Sequence, residues 1–213
     1  MGAAISKSSF LFDLDGTLVD SVYQHVLAWR EALEAEGIDV SIWRIHRKIG
    51  MSGGLLTDML LRETGLRIDL EGGDRLRHLH AAAFNRLSAC IRPLPGARQL
   101  LTYLTETARP VLESLELDLD QIPIVTRDQV RYAKPDPDVF LAAASRLGVG
   151  METTTVVGDS VWDMLAAQRA CALGVGLLSG GYSQDELERA GAYRVYADPA
   201  DLLTHIDEVG GRR

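Results

Sequence analysis

The chain has 213 residues, of which 46% are hydrophobic and 24% charged, so it is long enough to bury a sizeable core. The formal net charge is −8, and the 22 Lys and Arg residues are scattered along the sequence. This charge balance argues against nucleic acid or an anionic membrane surface as a partner.

The N-terminal residues do not have the pattern of a secretory leader, and no run of about 18 apolar residues occurs, so we expect a cytoplasmic protein. Cys90 and Cys171 form no metal-binding pattern and are expected to be buried free thiols.

The N-terminal third combines one short strand with a long helical stretch. Phe10-Leu11-Phe12 is an apolar run stopped by Asp13, which is typical of a buried parallel strand. Helical spacing of apolar residues follows in the segments 23–36, 55–63 and 75–89. Since no strand candidate lies between 20 and 91, we expect a helical cap domain at 21–92, inserted into a core formed by 1–20 and 93–213.

The rest of the chain alternates between short apolar runs and amphipathic segments. The predicted strands are 122–125, 154–157, 174–178 and 193–196, and the predicted helices are 137–147, 162–171, 184–190 and 200–209. Such alternation predicts an α/β fold with a doubly wound parallel sheet and helices on both faces.

One strand that this alternation requires is missing. The segments 99–104 and 108–117 both have helical patterns, and only a few residues separate them. Either the protein has lost a strand, or roughly a dozen or more residues that belong between Leu104 and Thr105 are absent from this sequence. We favour the second explanation, because loss of a central strand would expose apolar surface and unpaired backbone groups.

Acidic residues follow two of the predicted strands. Asp13 and Asp15 come after the first strand, and Asp159 and Asp163 come after the strand at 154–157. Because the carboxyl ends of parallel strands meet at one edge of a sheet, these four side chains are expected to converge. Carboxylates gathered in this way repel one another unless a cation is present, and an all-oxygen site favours Mg²⁺. Taken singly, each of these residues is also compatible with a turn or helix-capping role.

Three motifs together resemble a known family. Asp13-Leu14-Asp15-Gly16-Thr17, the later Lys134-Pro135, and Gly158-Asp159-Ser160 with Asp163 resemble the signatures of haloacid dehalogenase-like phosphatases. The resemblance covers nearly the whole chain and is nearest to the branch that contains phosphoglycolate phosphatase and β-phosphoglucomutase. Members of that branch carry a helical cap inserted after the first core strand.

The resemblance implies a role for each residue of the motifs. Asp13 would be the nucleophile, Asp15 the general acid and base, and Lys134 the partner of the phosphoryl oxygens. Mg²⁺ would be held by Asp13, the Asp15 carbonyl and Asp159, with Asp163 as a direct or indirect support. The residues expected to contact the substrate are Gly16 and Thr17 in the first motif and Arg47, Lys48 and Ser52 in the cap loop; Arg47 and Lys48 are equally compatible with a solvent-exposed cap surface.

Two details bear on the reaction. Dehalogenases and phosphonate-cleaving members of the family have no carboxylate where Asp15 stands, so Asp15 favours an oxygen leaving group. The mutase branch usually has Lys and Arg where Ile49 and Gly53 stand here. We therefore expect hydrolysis of a small phosphorylated metabolite by a monomer or weak homodimer. A phosphomutase is the alternative enzyme, and a non-catalytic binding protein is the alternative if the missing strand is truly absent.

Overall fold

The computed structural model describes residues 9–51, 53–65, 69–104 and 124–210. The chain divides into two compact units, one formed by Met1–Leu18 with Pro93–Arg213 and the other by Val19–Arg92. The assignment of a catalytic core and a cap to these units stays a prediction, because compactness does not reveal what a unit does.

A parallel sheet forms the centre of the first unit. The described strands are β1 (Ser9–Phe12), β2 (Val19–Asp20), β3 (Arg92–Pro93), β4 (Thr154–Gly158), β5 (Leu173–Leu177) and β6 (Ala192–Tyr196). Four of them pair in the order β1-β4-β5-β6, and all three pairings are parallel. The short strands β2 and β3 pair with each other in a separate two-stranded sheet. The predicted α/β class with a parallel sheet is thus confirmed.

The helices account for most of the remaining described residues. They are α1 (Val22–Ala35), α2 (Ile42–His46), α3 (Gly53–Thr64), α4 (Leu70–Leu87), α5 (97–104), α6 (Asp138–Leu147), α7 (Val161–Arg169), α8 (Gln184–Arg189) and α9 (Pro199–Thr204). None of the helices in the described part of the chain has both the length and the apolar character needed to cross a bilayer.

The sheet is buried on both faces, as expected for parallel strands. Every residue of β4 is buried, and successive side chains point to opposite faces. Val156 packs with Phe140 of α6 and Ala166 of α7, whereas Val157 packs with Leu100 of α5 and Leu202 of α9. Helices therefore cover both faces, which explains why no residue of β4 is exposed, including the polar Thr154 and Thr155.

The second unit has its own apolar core. In α1, Val26, Trp29 and Leu33 recur at helical spacing and are all buried. They form one cluster with residues of α2, α3 and α4, among them Ile45 and Leu76, both of which are fully buried. The helices predicted at 23–36, 55–63 and 75–89 correspond to α1, α3 and α4, and the described residues between 21 and 91 contain no strand, as expected.

Three predictions differ from the structure. Ile124 and Val125 are not in a strand: Ile124 is 71% exposed, and its carbonyl accepts a hydrogen bond from Arg146 of α6. The helix predicted at 200–209 stops at Thr204, and a 3-10 turn at Ile206–Val209 follows. Cys90 and Cys171 are free, as predicted, but both are exposed rather than buried.

The question of the missing strand falls on residues outside those described. The segment after Leu104, the predicted helix at 108–117 and the first part of the predicted strand at 122–125 all belong to 105–123. Among the described strands, β1 pairs only with β4. Both explanations for the missing strand therefore stay open.

Candidate active site

The ends of β1 and β4 bring the first two acidic residues to the same edge of the sheet. The two strands are in register, with Phe12 opposite Val157, and the Asp13 N–H donates to the Val157 carbonyl at 2.9 Å. Asp13 and Asp159 thus leave the sheet side by side. The convergence predicted from parallel strand ends is what the structure shows for this pair.

Thr17 joins the two strand ends. Its hydroxyl donates to Asp159 Oδ1 at 2.8 Å, and both residues are buried. Gly16, just before it, has φ +80, a backbone conformation that favours glycine and turns the chain after Asp15. The predicted substrate contacts of Gly16 and Thr17 stay predictions, whereas the hydroxyl of Thr17 has an observed partner in the acidic cluster.

Asp163 enters the site through the N-terminus of α7. Ser160 and Asp163 form a capping box: the Asp163 N–H donates to Ser160 Oγ, and the Ser160 N–H donates to Asp163 Oδ2 at 3.1 Å. A side chain at Gly158 would collide with Asp163. The glycine of this motif is therefore required for the close approach of the carboxylate to the strand.

Lys134 lies between two of the carboxylates. Its Nζ is 2.7 Å from Asp13 Oδ1 and 2.6 Å from Asp163 Oδ1, and only 11% of its side chain is exposed. Two hydrogen bonds hold the loop around Lys134. The Asp138 carboxylate accepts from the Tyr132 N–H, and the Pro135 carbonyl accepts from Arg169 of α7 at 2.9 Å. The lysine predicted from the Lys-Pro motif is therefore placed beside the predicted nucleophile.

The electrostatics of the cluster reflect a deficit of positive charge. Burial raises the pKa of Asp13 to about 6 although 23% of its side chain is exposed; Lys134 opposes the shift and Asp163 adds to it. Burial, followed by the charges of Asp163 and Asp13, also holds the pKa of Asp159 well above its ordinary value. Burial alone lowers the pKa of Lys134, but the carboxylates of Asp13 and Asp163 outweigh it and raise that pKa. One ammonium group does not neutralise three carboxylates.

This donor set fits a hard divalent cation. Asp13, Asp159 and Asp163 each offer a carboxylate oxygen, and these oxygens lie within 4.8 Å of one another. Asp163 Oδ1 is buried and accepts no hydrogen bond of good geometry, although Lys134 Nζ is close to it. Oxygen ligands without thiolate or imidazole match the preference of Mg²⁺.

The predicted roles of Asp15 and of the cap residues stay predictions. Asp15 is half-buried in the turn after β1. In the second unit, Lys48 Nζ is 2.8 Å from Glu63, and this hydrogen bond is the main reason why the pKa of Glu63 is lowered. Arg47 is half-buried after α2, and Ser52 lies outside the described residues. The substrate-reading roles of Arg47, Lys48 and Ser52 therefore stay predictions.

Sequence reasoning missed one segment that contacts the site. After β5, a 3-10 turn covers Leu178–Gly180, and its Ser179 hydroxyl donates to the Gly16 carbonyl at 2.6 Å. A side chain at Gly180 would overlap the Asp159 carboxylate. The available signal was positional: β5 is also a parallel strand, so the polar residues after it belong at the same edge as Asp13 and Asp159.

Fold and site together define a parallel α/β protein with a carboxylate cluster and a largely buried lysine at the carboxyl edge of its sheet. The family model for haloacid dehalogenase-like hydrolases matches residues 8–170, well over half of the chain. The chain therefore belongs to the haloacid dehalogenase-like hydrolase family, and the resemblance seen in its motifs is confirmed.

Similar proteins agree with this membership. The phosphoglycolate phosphatase of Rhodospirillum rubrum is 30% identical, with 90% of this chain and 88% of that protein covered. The β-phosphoglucomutase of Bacillus subtilis is 28% identical, with 92% of each chain covered. Among solved structures, a hydrolase from Pseudomonas syringae is 56% identical with a TM-score of 0.88, and the match covers 96% of this chain and 100% of that one.

Proposed function

We propose that this chain is a Mg²⁺-dependent phosphatase that hydrolyses a small phosphate monoester through an aspartyl-phosphate intermediate on Asp13. The observation that carries the proposal is the placement of the Asp13 carboxylate, bound to Lys134 and gathered with Asp159 and Asp163. A carboxylate that only capped a turn would have no need of a buried lysine and two further buried carboxylates around it.

In the first step, a carboxylate oxygen of Asp13 attacks phosphorus, and the bond from phosphorus to the ester oxygen breaks. Asp15 gives its proton to the leaving alkoxide, so the product leaves as an alcohol. Asp13 then carries the phosphoryl group as an acyl phosphate, and Asp15 is ionised. With a pKa of about 6, Asp13 is mostly ionised and able to attack near pH 7.5.

In the second step, Asp15 takes a proton from a water molecule, and the resulting hydroxide attacks phosphorus. The bond between phosphorus and Asp13 breaks, inorganic phosphate forms, and both carboxyl groups return to their starting states. Lys134 remains beside Asp13 and offsets the negative charge of the phosphoryl oxygens.

Mg²⁺ bound by Asp13, Asp159 and Asp163 would supply positive charge where the transferring phosphoryl group is most negative. Thr17 supports this site by holding Asp159 in one orientation through its hydroxyl. The core would be formed by 1–20 and 93–213, and the cap at 21–92 would select the substrate through the loop that contains Arg47, Lys48 and Ser52.

The names of similar proteins support a substrate class for this proposal. Relatives at 26 to 30% identity include proteins named phosphoglycolate phosphatase, hexitol phosphatase and fructose-1-phosphate phosphatase. We therefore infer a small phosphorylated acid or sugar, with 2-phosphoglycolate as the first candidate. A phosphomutase activity is the second candidate because the β-phosphoglucomutase of Bacillus subtilis matches over nearly the full length.

The test is phosphate release from a panel that contains 2-phosphoglycolate, hexitol phosphates and fructose 1-phosphate, with Mg²⁺ or with EDTA. We expect Mg²⁺-dependent release that the Asp13→Asn variant loses by at least about a thousandfold. Absence of release from folded wild-type protein, with every substrate, would contradict the proposal and favour the binding protein. Conversion of β-glucose 1-phosphate to glucose 6-phosphate, stimulated by the bisphosphate, would instead support the mutase.

A further inference from the structure

The turn at Leu178–Gly180 contacts both parts of the candidate site. Ser179 Oγ donates to the Gly16 carbonyl at 2.6 Å, and Gly16 follows Asp15 directly in the turn after β1. The bond spans 163 positions of sequence and connects two loops that follow different strands. The hydroxyl of Ser179 therefore restrains the backbone that carries Asp13 and Asp15.

Gly180 makes the second contact. A Cβ at this position would overlap Asp159 Oδ2, and it would lie 2.6 Å from Asp159 Cγ and 2.7 Å from the Asp159 carbonyl oxygen. Real Cβ atoms do not approach heavy atoms so closely, and Asp159 is itself buried and held by Thr17. Neither side can move away easily, so the carboxylate has its observed position only because residue 180 has no side chain.

The turn is held firmly at both ends. Leu177, the last residue of β5, is fully buried in the apolar cluster that contains Val157, and Tyr182 is buried in a separate apolar cluster. Between them, the Gly181 N–H donates to the Leu178 carbonyl at 3.0 Å, and Gly181 has φ +84. A turn anchored in this way has a fixed position relative to the sheet, and it can therefore fix the positions of the groups that it contacts.

We propose that the Leu178–Gly180 turn is a positioning element of the active site. Ser179 holds the turn that carries Asp13 and Asp15, and Gly180 keeps Asp159 oriented toward the cation. The inference rests on the proposed function for its effect on turnover, but its effect on cation binding can be measured without turnover. Displacements of about 1 Å at a reacting group are enough to lower a rate by about a hundredfold.

The variants Ser179→Ala and Gly180→Ala test the two contacts. For Ser179→Ala we expect kcat to fall about ten- to a hundredfold with little change in KM, because the substrate still binds while the reacting groups are misplaced. Ser179→Thr, which keeps the hydroxyl, should recover most of the loss. For Gly180→Ala we expect the Mg²⁺ concentration that gives half-maximal activity to rise about ten- to a hundredfold.

Two matched variants measure the effect of the same substitutions at positions outside the acidic cluster. Ser88 also donates its hydroxyl to a backbone carbonyl, at 2.8 Å, and Gly73 of α4 is a glycine at which an added Cβ would meet only the end of the Arg77 side chain, at 3.6 Å. Ser88→Ala and Gly73→Ala should keep wild-type kcat and Mg²⁺ dependence.

The Mg²⁺-induced rise in unfolding temperature, measured without substrate, separates this inference from the proposed function. A wild-type rise that is reduced in Gly180→Ala and in Ser179→Ala supports the positioning role even if no phosphate is released. Wild-type kcat together with a full Mg²⁺ response in both variants overturns it. If Gly180→Ala does not fold, the Ser179 variants test the inference. Ser179→Ala should reduce the Mg²⁺ response, and Ser179→Thr should restore it.

Discussion

Lys134 offsets part of the negative charge of the site in the absence of a cation. Its ammonium group contacts Asp13 and Asp163 at 2.7 and 2.6 Å, and 11% of its side chain is exposed. Buried carboxylates are costly unless they are paired, since little water remains to solvate them. The lysine thus has a structural role in the metal-free protein as well as its proposed role in phosphoryl transfer.

Removing this charge should destabilise the metal-free protein. For Lys134→Met we expect the free energy of unfolding to fall by about 3 kcal/mol, because the buried carboxylate of Asp163 and the partly buried carboxylate of Asp13 lose their partner. Urea unfolding in EDTA near pH 7.5 measures the change. Lys48→Met is the matched control: Lys48 is similarly buried, but it pairs with a single, more exposed carboxylate, Glu63, and should lose less than about 1 kcal/mol. Equal losses would contradict the role of Lys134.

At the scale of elements, α7 shows how a helix N-terminus can carry a functional carboxylate. Its capping box uses Ser160 and Asp163, both buried, and the same Asp163 contacts Lys134 through its other oxygen. A second capping box begins α8, where Ser183 pairs with Glu186 at the surface. Both helices therefore begin with a capping box, but the capping acid of α7 also belongs to the acidic cluster, whereas that of α8 lies at the surface.

This difference gives a paired prediction. Ser160→Ala and Ser183→Ala should each lower the free energy of unfolding by about 1 kcal/mol, because each removes a helix cap. Only Ser160→Ala should also lower kcat for phosphate release, since it frees Asp163 to rotate. Urea unfolding and phosphate release, measured on both variants, check the prediction. A similar fall in kcat for Ser183→Ala would show that helix stability alone, and not the position of Asp163, is responsible.

At the scale of the whole molecule, the acidic cluster couples folding to cation binding. Three carboxylates face one lysine, and their mutual repulsion is part of the reason why the pKa values of Asp13 and Asp159 are raised. A cation that binds only the folded state stabilises it by mass action, by about 2.7 kcal/mol at a concentration one hundred times Kd. The folded chain should therefore be less stable in EDTA than in Mg²⁺.

The stabilisation should also depend on pH. Since the folded pKa of Asp13 is about 6 and lies above its ordinary value, the metal-free folded state holds more protons than the unfolded chain between these values. Its stability therefore falls as pH rises toward 6, and protons compete with the cation below that pH. We expect the Mg²⁺-induced rise in unfolding temperature to be larger near pH 7.5 than near pH 5.

Asp159→Asn is the control for this measurement. The amide oxygen can still accept the hydrogen bond from Thr17, but one negative charge is lost from the cluster. The variant should therefore be more stable than the wild type in EDTA and should lose most of the response to Mg²⁺. A full Mg²⁺ response in this variant would place the cation elsewhere.

The sequence by itself determined the fold class, most of the helices and strands, and the central residues of the site. The apolar residues of β1 and β4, such as Phe12 and Val157, indicate buried parallel strands, and the carboxylate that follows each of these two strands marks the carboxyl edge of the sheet. Asp13, Asp159 and Lys134 were predictable because each belongs to a short local motif. The convergence of Asp13 and Asp159 followed from the parallel arrangement alone.

Only the tertiary structure decided which groups contact which. The bond from Ser179 to Gly16 and the fit of Gly180 against Asp159 join segments more than twenty residues apart, and no local pattern encodes such contacts. The same holds for Ile124, which has an apolar strand-like sequence but is exposed and bound by Arg146. Local spacing specifies which element forms and which residues follow it, whereas distances between side chains depend on packing the whole sheet.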